Sequence, residues 1–92
     1  MQLTANEELE LRYMQALGYK WIARDKTGEV FAYKTKPYRE NVCFGCENND
    51  YVPCSLGEYE ELDFETKPLE IDKLLMENGW DIPLVEPKWN EL

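Results

Sequence analysis

The chain has 92 residues, 43% of them hydrophobic, and carries 19 acidic against 10 basic side chains, a net charge of −9. This length corresponds to a single domain with a small core. The sequence shows neither an apolar run of membrane-spanning length nor the basic-then-apolar pattern of a signal peptide, so we expect a soluble cytoplasmic protein. Anionic membranes and nucleic acid should repel so acidic a chain, and we expect direct binding to neither.

The first predicted element is a helix over residues 6–18. Thr4 or Asn6 can cap its first turn, whose acidic side chains suit the positive end of the helix dipole. Gly18 can adopt the left-handed conformation that ends many helices. One apolar stripe at the helical period is predicted to face the core, and its members are Leu9, Tyr13, Ala16 and Leu17.

The strongest structural signal predicts a β-hairpin over residues 19–35. Two runs rich in aromatic and β-branched residues flank Asp25-Lys26-Thr27-Gly28, which is typical of a type I turn followed by a left-handed glycine. If Asp25 faces Glu29, the period of two places six side chains on one face: Tyr19, Trp21, Ala23, Phe31, Tyr33 and Thr35. We expect the first helix to cover this aromatic face.

Residues 38–50 are predicted to be mostly loop. Residues 42–44 and 51–54 are two candidate short strands, and the second is the better third strand of the sheet. The segment 56–64 favours a short helical turn followed by an extended stretch.

The pattern from Pro68 to Asn78 favours a helix that ends at Gly79, although residues 69–71 could instead begin a strand. Its buried side chains are predicted to be Ile71, Leu74 and Leu75. An extended tail is expected to dock through Trp80, Ile82, Leu84 and Val85. The predicted fold class is therefore α+β, with a small antiparallel sheet built on the 19–35 hairpin and packed with an N-terminal helix and a short C-terminal helix.

Three cysteines are candidate metal ligands. Cys43 and Cys46 form a CxxC pair, and Cys54 lies eight residues further on. A structural zinc site needs four ligands, and the chain has no histidine and no fourth cysteine. A carboxylate such as Asp50, a water molecule or a second chain would have to complete the site. The alternative is that all three are reduced loop and core cysteines, in which case we expect no cofactor.

The composition argues against an enzyme. Without histidine the chain lacks the usual general base near neutral pH, and it contains no glycine-rich phosphate loop or nucleophile elbow. Acidic pairs such as Glu60 and Glu61 could bind Mg²⁺ or act as glycosidase carboxylates. Such pairs are inevitable among 19 acidic residues, however, so we expect no catalytic residues.

Two segments resemble a family of small proteins encoded by tailed phages and prophages of Gram-positive bacteria. The first is Trp21–Gly28 (WIARDKTG) with Lys36-Pro37 closing the second strand, and the second is Leu62–Ile71 (LDFETKPLEI). The family has no assigned activity and no catalytic motif. The resemblance implies a strand at 68–71, and it does not extend to the N-terminal helix, the cysteines or the tail.

The charge is unevenly distributed, and this asymmetry gives the functional prediction. Residues 1–39 hold seven basic and five acidic side chains (+2), whereas residues 40–92 hold three basic and fourteen acidic ones (−11). Together with the phage resemblance, this predicts a non-catalytic binding protein. It would present an acidic surface to the basic groove of a host protein that handles nucleic acid or serves in defence. The predicted contact residues are Glu58, Glu60, Glu61, Asp63 and Glu65.

Two alternative functions remain open. The first is an assembly accessory that self-associates as a homo-oligomer through the aromatic side chains of Tyr38, Trp80 and Trp89. The second is a zinc-binding module built on Cys43, Cys46 and Cys54.

Overall fold

The computed structural model of the chain describes residues 1–40, 44–46 and 50–80 and has an α+β fold. The elements in chain order are α1 (Ala5–Ala16), β1 (Trp21–Arg24), β2 (Val30–Tyr33), β3 (Tyr38–Arg39), β4 (Phe44–Gly45), β5 (Tyr51–Cys54), β6 (Leu69–Glu70) and α2 (Ile71–Glu77). Four strands form an antiparallel sheet in the order β5-β2-β1-β6, and β3 pairs with β4 in a separate ribbon. In these described ranges, neither helix has the length and apolar character needed to cross a membrane.

The hairpin of β1 and β2 has the predicted register. Trp21 pairs with Tyr33, and Ala23 pairs with Phe31. Successive side chains of the hairpin therefore alternate between its two faces in the predicted order. A hydrogen bond of 2.9 Å from the Gly28 N–H to the Asp25 carbonyl closes the turn, with Gly28 at φ +100°. The prediction from a single Asp-to-Gly turn is therefore confirmed at the level of individual residue pairs.

The segment around residue 70 corrects one prediction and confirms another. The helix does not begin at Pro68, because Leu69 first pairs with Ile22 of β1. The ladder ends where the Ile71 N–H donates to the Lys20 carbonyl, 2.9 Å away, and the helix begins at Ile71. The strand that the family resemblance implied is thus present as β6. The predicted apolar face of α2 is buried. The helix ends at Glu77, and Gly79, two residues further on, has the expected positive φ.

Helix α1 forms where the sequence predicts it, but the prediction of its buried face was wrong. Thr4 caps it in a reciprocal pair: its hydroxyl accepts from the Glu7 N–H (3.2 Å), and the Glu7 carboxylate accepts from the Thr4 N–H (2.9 Å). The predicted stripe is exposed, with Leu9 at 64% and Tyr13 at 62%. The buried side chains of the helix are Glu7, Glu10, Leu11 and Met14.

The helices do not cover the aromatic face of the sheet, as predicted, but the opposite face. The main core contains Ile22, Val30 and Ala32 from the hairpin, together with side chains of both helices. Four of the six side chains predicted for the aromatic face pack together, and Phe44, Cys46 and Phe64 cover them, whereas Tyr19 packs against the main core instead. The aromatic cluster contains Trp21, Ala23, Phe31, Tyr33, Phe44, Cys46 and Phe64. The β3–β4 ribbon is held over this face because the Asp25 carboxylate accepts from the Phe44 N–H, 3.2 Å away.

Four further predictions concern the segments outside the hairpin and the helices. The strand β5 is the third strand of the sheet as predicted, paired with β2. Segment 56–64 was predicted to be a helical turn and an extended stretch; the structure instead has two successive turns, closed by bonds from Leu62 to Tyr59 (2.9 Å) and from Thr66 to Asp63 (3.1 Å). Residues 42–43 of the other candidate strand, and the predicted tail contacts of Ile82, Leu84 and Val85, lie outside the described residues.

The corrected face of α1 predicts different effects for two matched leucine substitutions. Leu11 is fully buried and Leu56 is 54% exposed. Leu11→Ala should lower the free energy of unfolding by about 2–5 kcal/mol, since it removes core contacts and leaves a cavity. Leu56→Ala should change it by less than about 0.5 kcal/mol. Urea denaturation of both variants measures the difference, and equal losses would contradict this packing.

Candidate functional site: an acidic loop held by buried carboxylates

The predicted contact residues lie together on one exposed loop, residues 58–65, called here the acidic loop. All five predicted acidic side chains, Glu58, Glu60, Glu61, Asp63 and Glu65, are exposed. Between them, Tyr59 is 0% and Leu62 is 1% exposed, and both belong to the main core. The loop therefore alternates between anchoring side chains that point inward and carboxylates that face solvent.

The buried carboxylate of Glu7 holds one end of this loop. Glu7 is 3% exposed, and its Oε2 accepts from the Tyr59 N–H at 2.5 Å. Gly57 lies against the same side chain: a Cβ at position 57 would lie 2.1 Å from the Glu7 Cγ, so only glycine fits there. Tyr59 itself has φ +49°, an uncommon conformation for a residue with a side chain. The local backbone is thus shaped around the Glu7 carboxylate.

The second buried carboxylate, Glu10, holds the chain just before the acidic loop. It is 4% exposed and accepts from the N–H groups of Ser55 (2.8 Å) and Leu56 (3.1 Å) and from the Tyr59 hydroxyl (2.8 Å). A buried charge is tolerated only where hydrogen bonds replace its hydration. Here three donors from one short segment do so, which fixes the position of that segment against α1.

Arg24, the last residue of β1, holds the acidic loop from the opposite side. Its guanidinium donates to the carbonyls of Tyr59 (3.0 Å), Glu58 and Leu62, and also to the carbonyl of Gly28 in the hairpin turn. Arg24 thus donates its hydrogen bonds to backbone carbonyls, and in the described part of the chain it forms no ion pair with a carboxylate. The Arg39 guanidinium also donates to the carbonyl of Phe64, so two buried carboxylates and two arginines hold the backbone of the acidic loop.

These contacts also join residues 21–28 to residues 62–71, the two segments on which the predicted resemblance rests. Arg24 belongs to the first segment and Leu62 to the second, and they are joined by a hydrogen bond. The strands of the two segments also pair directly, with Trp21 facing Glu70. Both segments therefore form one structural unit.

The carboxylates of the acidic loop form no ion pair within the described residues. The ion pairs among residues 1–40, 44–46 and 50–80 join the N-terminal amine to Glu77 and Lys73 to Glu70, and neither involves the loop. Hydrogen bonds from the Thr66 hydroxyl and N–H lower the pKa of Asp63, so this carboxyl stays ionised. The other four side chains of the set are exposed to solvent.

The buried carboxylates affect two neighbouring acids. Burial raises the pKa of the Cys54 thiol to about 12, and the charge of Glu10 adds to the effect. Burial and the hydrogen bond to Glu10 also raise the pKa of Tyr59 above its usual value. Both groups therefore remain protonated at neutral pH, and Tyr59 remains available as a donor to Glu10.

The structure places two of the three candidate zinc ligands in different cores. Cys46 belongs to the aromatic cluster and Cys54 to the main core, on opposite faces of the sheet. Cys43 lies outside the described residues. Among the residues that are described, no three Cys, Asp or Glu side chains converge as metal ligands. Zinc binding by the three cysteines stays a prediction, which elemental analysis of the purified protein would test.

A surface cleft of about 570 Å³ runs beside the acidic loop. Its lining includes Arg24, Glu29, Cys54, Glu58 and Glu60. The carboxylates at its rim make this cleft an extension of the acidic surface. Comparisons with protein-family models, curated proteins and solved structures found no match to this chain.

Sequence reasoning missed the residues that position the loop. The sequence indicates only that the acidic side chains at the start of the first helix suit its dipole, and it assigns Arg24 no contact with the loop. One signal was available for Glu7, because Thr4-x-x-Glu7 is a capping box that fixes the side chain of Glu7 near the helix start. No comparable pattern identifies Glu10 or Arg24, since their partners in residues 55–62 lie 34–49 residues away along the chain.

A double-mutant cycle should detect the contact between Glu10 and Tyr59. Glu10→Gln and Tyr59→Phe should each lower the free energy of unfolding by about 1–3 kcal/mol, because each leaves a buried polar group short of a partner. Since the two side chains are hydrogen-bonded, their effects should deviate from additivity by about 0.5 kcal/mol or more. The control pairs Tyr59→Phe with Glu40→Gln, at an exposed site, and should be additive. Additivity of the Glu10 pair in urea denaturation would contradict the contact.

The raised pKa values predict that the protein loses stability in alkali. In the unfolded chain, cysteine ionises near pH 8.5 and tyrosine near pH 10, whereas the folded chain keeps the protons of Cys54 and Tyr59 to higher pH. The folded state then binds more protons, so the free energy of unfolding falls as pH rises, by about 1.4 kcal/mol per pH unit for each group.

This fall should begin near pH 8.5–9 and continue toward pH 12. Urea midpoints across this range should show a shallower decline for Tyr59→Phe and for Cys54→Ala than for the parent protein. Tyr38→Phe, at an exposed tyrosine, should leave the slope unchanged. The interpretation fails if all four proteins show the same slope.

Proposed function

We propose that this protein is a non-catalytic binding protein whose acidic loop docks on a basic groove of another protein. The single observation that carries the proposal is the combination of five exposed carboxylates within residues 58–65 and a backbone that buried contacts hold in place. In this proposal the protein is encoded by a phage. Its partner is a host protein that handles nucleic acid or serves in defence, and the acidic loop occupies the groove that would otherwise bind phosphates.

The fixed backbone of the loop favours such binding energetically. A flexible loop loses conformational freedom when it binds, at a cost that reduces the net affinity. In the acidic loop, Tyr59 and Leu62 are buried and Arg24 binds three of its carbonyls. Much of the ordering has therefore taken place on folding, and the spacing of the carboxylates is set before the partner arrives.

The charge of the loop favours both the rate and the specificity of association. Exposed charges of one sign raise the encounter rate with a partner of the opposite sign and disfavour partners of the same sign. The side-chain carboxylates of Glu58, Glu60 and Glu65 accept no hydrogen bond and form no ion pair among the described residues, so a partner can use them without breaking existing contacts. The basic partner thus gains new charge-assisted hydrogen bonds to these three side chains.

A pull-down with charge-matched variants tests the proposal. The first variant carries Glu58→Gln, Glu60→Gln and Glu65→Gln in the acidic loop. The second carries Glu40→Gln, Asp50→Asn and Glu77→Gln, which lie on the surface elsewhere. Both change the net charge by +3, so they differ only in where the charge is removed.

We expect the parent and the second variant to retain the same protein from a lysate of a Gram-positive bacterium, and the loop variant to lose at least tenfold of it. Added salt should weaken the retained complex, because the contact is between exposed charges. Equal retention by both variants would overturn the acidic-loop interface.

Sedimentation of the pure protein tests the alternative function, self-association. That alternative requires the sedimenting mass to rise with protein concentration and to fall when the exposed Tyr38 is replaced.

A further inference from the structure

One face of α1 carries large apolar side chains that the rest of the described chain leaves exposed. Leu9 is 64%, Tyr13 62% and Leu17 47% exposed. Their spacing of four residues places them in one line along the helix. Isolated exposed leucines are ordinary, but a continuous apolar row on one helix is a surface that another chain segment usually covers. We call these three residues the α1 stripe.

The chain leaves the described structure beside this stripe. Trp80 lies against α1, where its indole N–H donates to the Glu8 carboxylate at 2.5 Å. The Arg12 guanidinium lies 4.4 Å from the centre of the Trp80 ring. Glu8 and Arg12 directly precede Leu9 and Tyr13 in the sequence. The last described residue is therefore attached to the helix, next to the first two members of the α1 stripe.

The remaining segment has the length and composition to cover the stripe. Residues 81–92, DIPLVEPKWNEL, contain four large apolar side chains: Ile82, Leu84, Val85 and Trp89. Two prolines disfavour helix formation in it. Twelve residues in extended form reach roughly 40 Å, whereas a twelve-residue helix such as α1 is roughly 18 Å long. The segment can therefore cross from Trp80 to the stripe and follow it to its end.

We propose that the α1 stripe is the docking surface for the chain's own C-terminal segment, residues 81–92. Trp80 is the fixed point from which the segment starts, and the apolar side chains that follow it bury Leu9, Tyr13 and Leu17. This inference is independent of the proposed function, since it uses neither the acidic loop nor a basic partner. It also explains why α1 carries apolar side chains at Leu9, Tyr13 and Leu17, although these residues do not face the sheet.

Nuclear Overhauser measurements on the full-length protein test the proposal directly. Contacts are expected between the ring protons of Tyr13 and the methyl groups of Leu84 and Val85, with intensities that do not change over a tenfold range of concentration. A mixture of isotope-labelled and unlabelled protein separates contacts within a chain from contacts between copies. Contacts seen only between copies would assign the stripe to a second molecule, and the absence of any contact from the stripe to residues 81–92 would equally overturn the proposal.

A pair of tyrosine substitutions gives an independent measurement. Tyr13 and Tyr38 are similarly exposed, at 62% and 56%, but Tyr38 lies on β3, on the far side of the sheet from the helices. If residues 81–92 cover the α1 stripe, Tyr13→Ala should lower the melting temperature by roughly 4–8 °C, and Tyr38→Ala by less than about 2 °C. A shift for Tyr13→Ala no larger than that for Tyr38→Ala would overturn the proposal.

Discussion

Two carboxylates of α1 lie inside the protein, and the position of the acidic loop depends on how they are satisfied. Glu7 and Glu10 are almost fully buried, and a buried charge without hydrogen bonds is strongly unfavourable. The backbone N–H groups of Ser55, Leu56 and Tyr59 satisfy these two carboxylates. The helix and the loop therefore depend on each other: the loop solvates the helix carboxylates, and the carboxylates give the loop its shape.

This arrangement resembles an anion-binding loop whose anion belongs to the protein itself. Consecutive backbone N–H groups commonly bind a phosphate or a carboxylate ligand. Here Gly57 allows the backbone to approach the Glu7 side chain, and Tyr59 adopts positive φ to present its N–H. Arg24 binds the carbonyls on the other side of the same backbone. The backbone N–H and carbonyl groups of this segment thus bind other parts of the protein, whereas the carboxylates of residues 58–65 face solvent.

Local signals in the sequence predicted the elements of the fold well, because their causes are local. The turn at Asp25–Gly28 sets the hairpin register by itself, and Thr4 and Gly18 mark the helix boundaries. The length rule that favoured one helix from Pro68 failed because two residues of that segment complete the sheet edge beside β1. In this pairing the partner residues lie 47 and 49 positions apart, and no local pattern specifies it.

The spacing of apolar residues could not predict the buried face of α1, and the reason is physical. Apolar counting selects Leu9 and Tyr13, whereas the helix buries Glu10 beside Leu11 and Met14. A buried glutamate is recognisable only when its donors are known, and the donors to Glu10 lie 45–49 residues further along the chain, after β5. The exposure of the acidic loop was predictable, since acids alternate with Tyr59 and Leu62. The rigidity of the loop was not, because it comes from Arg24 and the two carboxylates.

Amide hydrogen exchange tests most directly whether the buried carboxylates hold the loop. If Glu7 and Glu10 accept from the N–H groups of Ser55, Leu56 and Tyr59, these three amides should exchange as slowly as amides of the central strands, and Glu10→Gln should remove the protection at Ser55 and Leu56 first. Exchange of the three amides at the rate of an open, solvated loop in the parent protein would contradict the account.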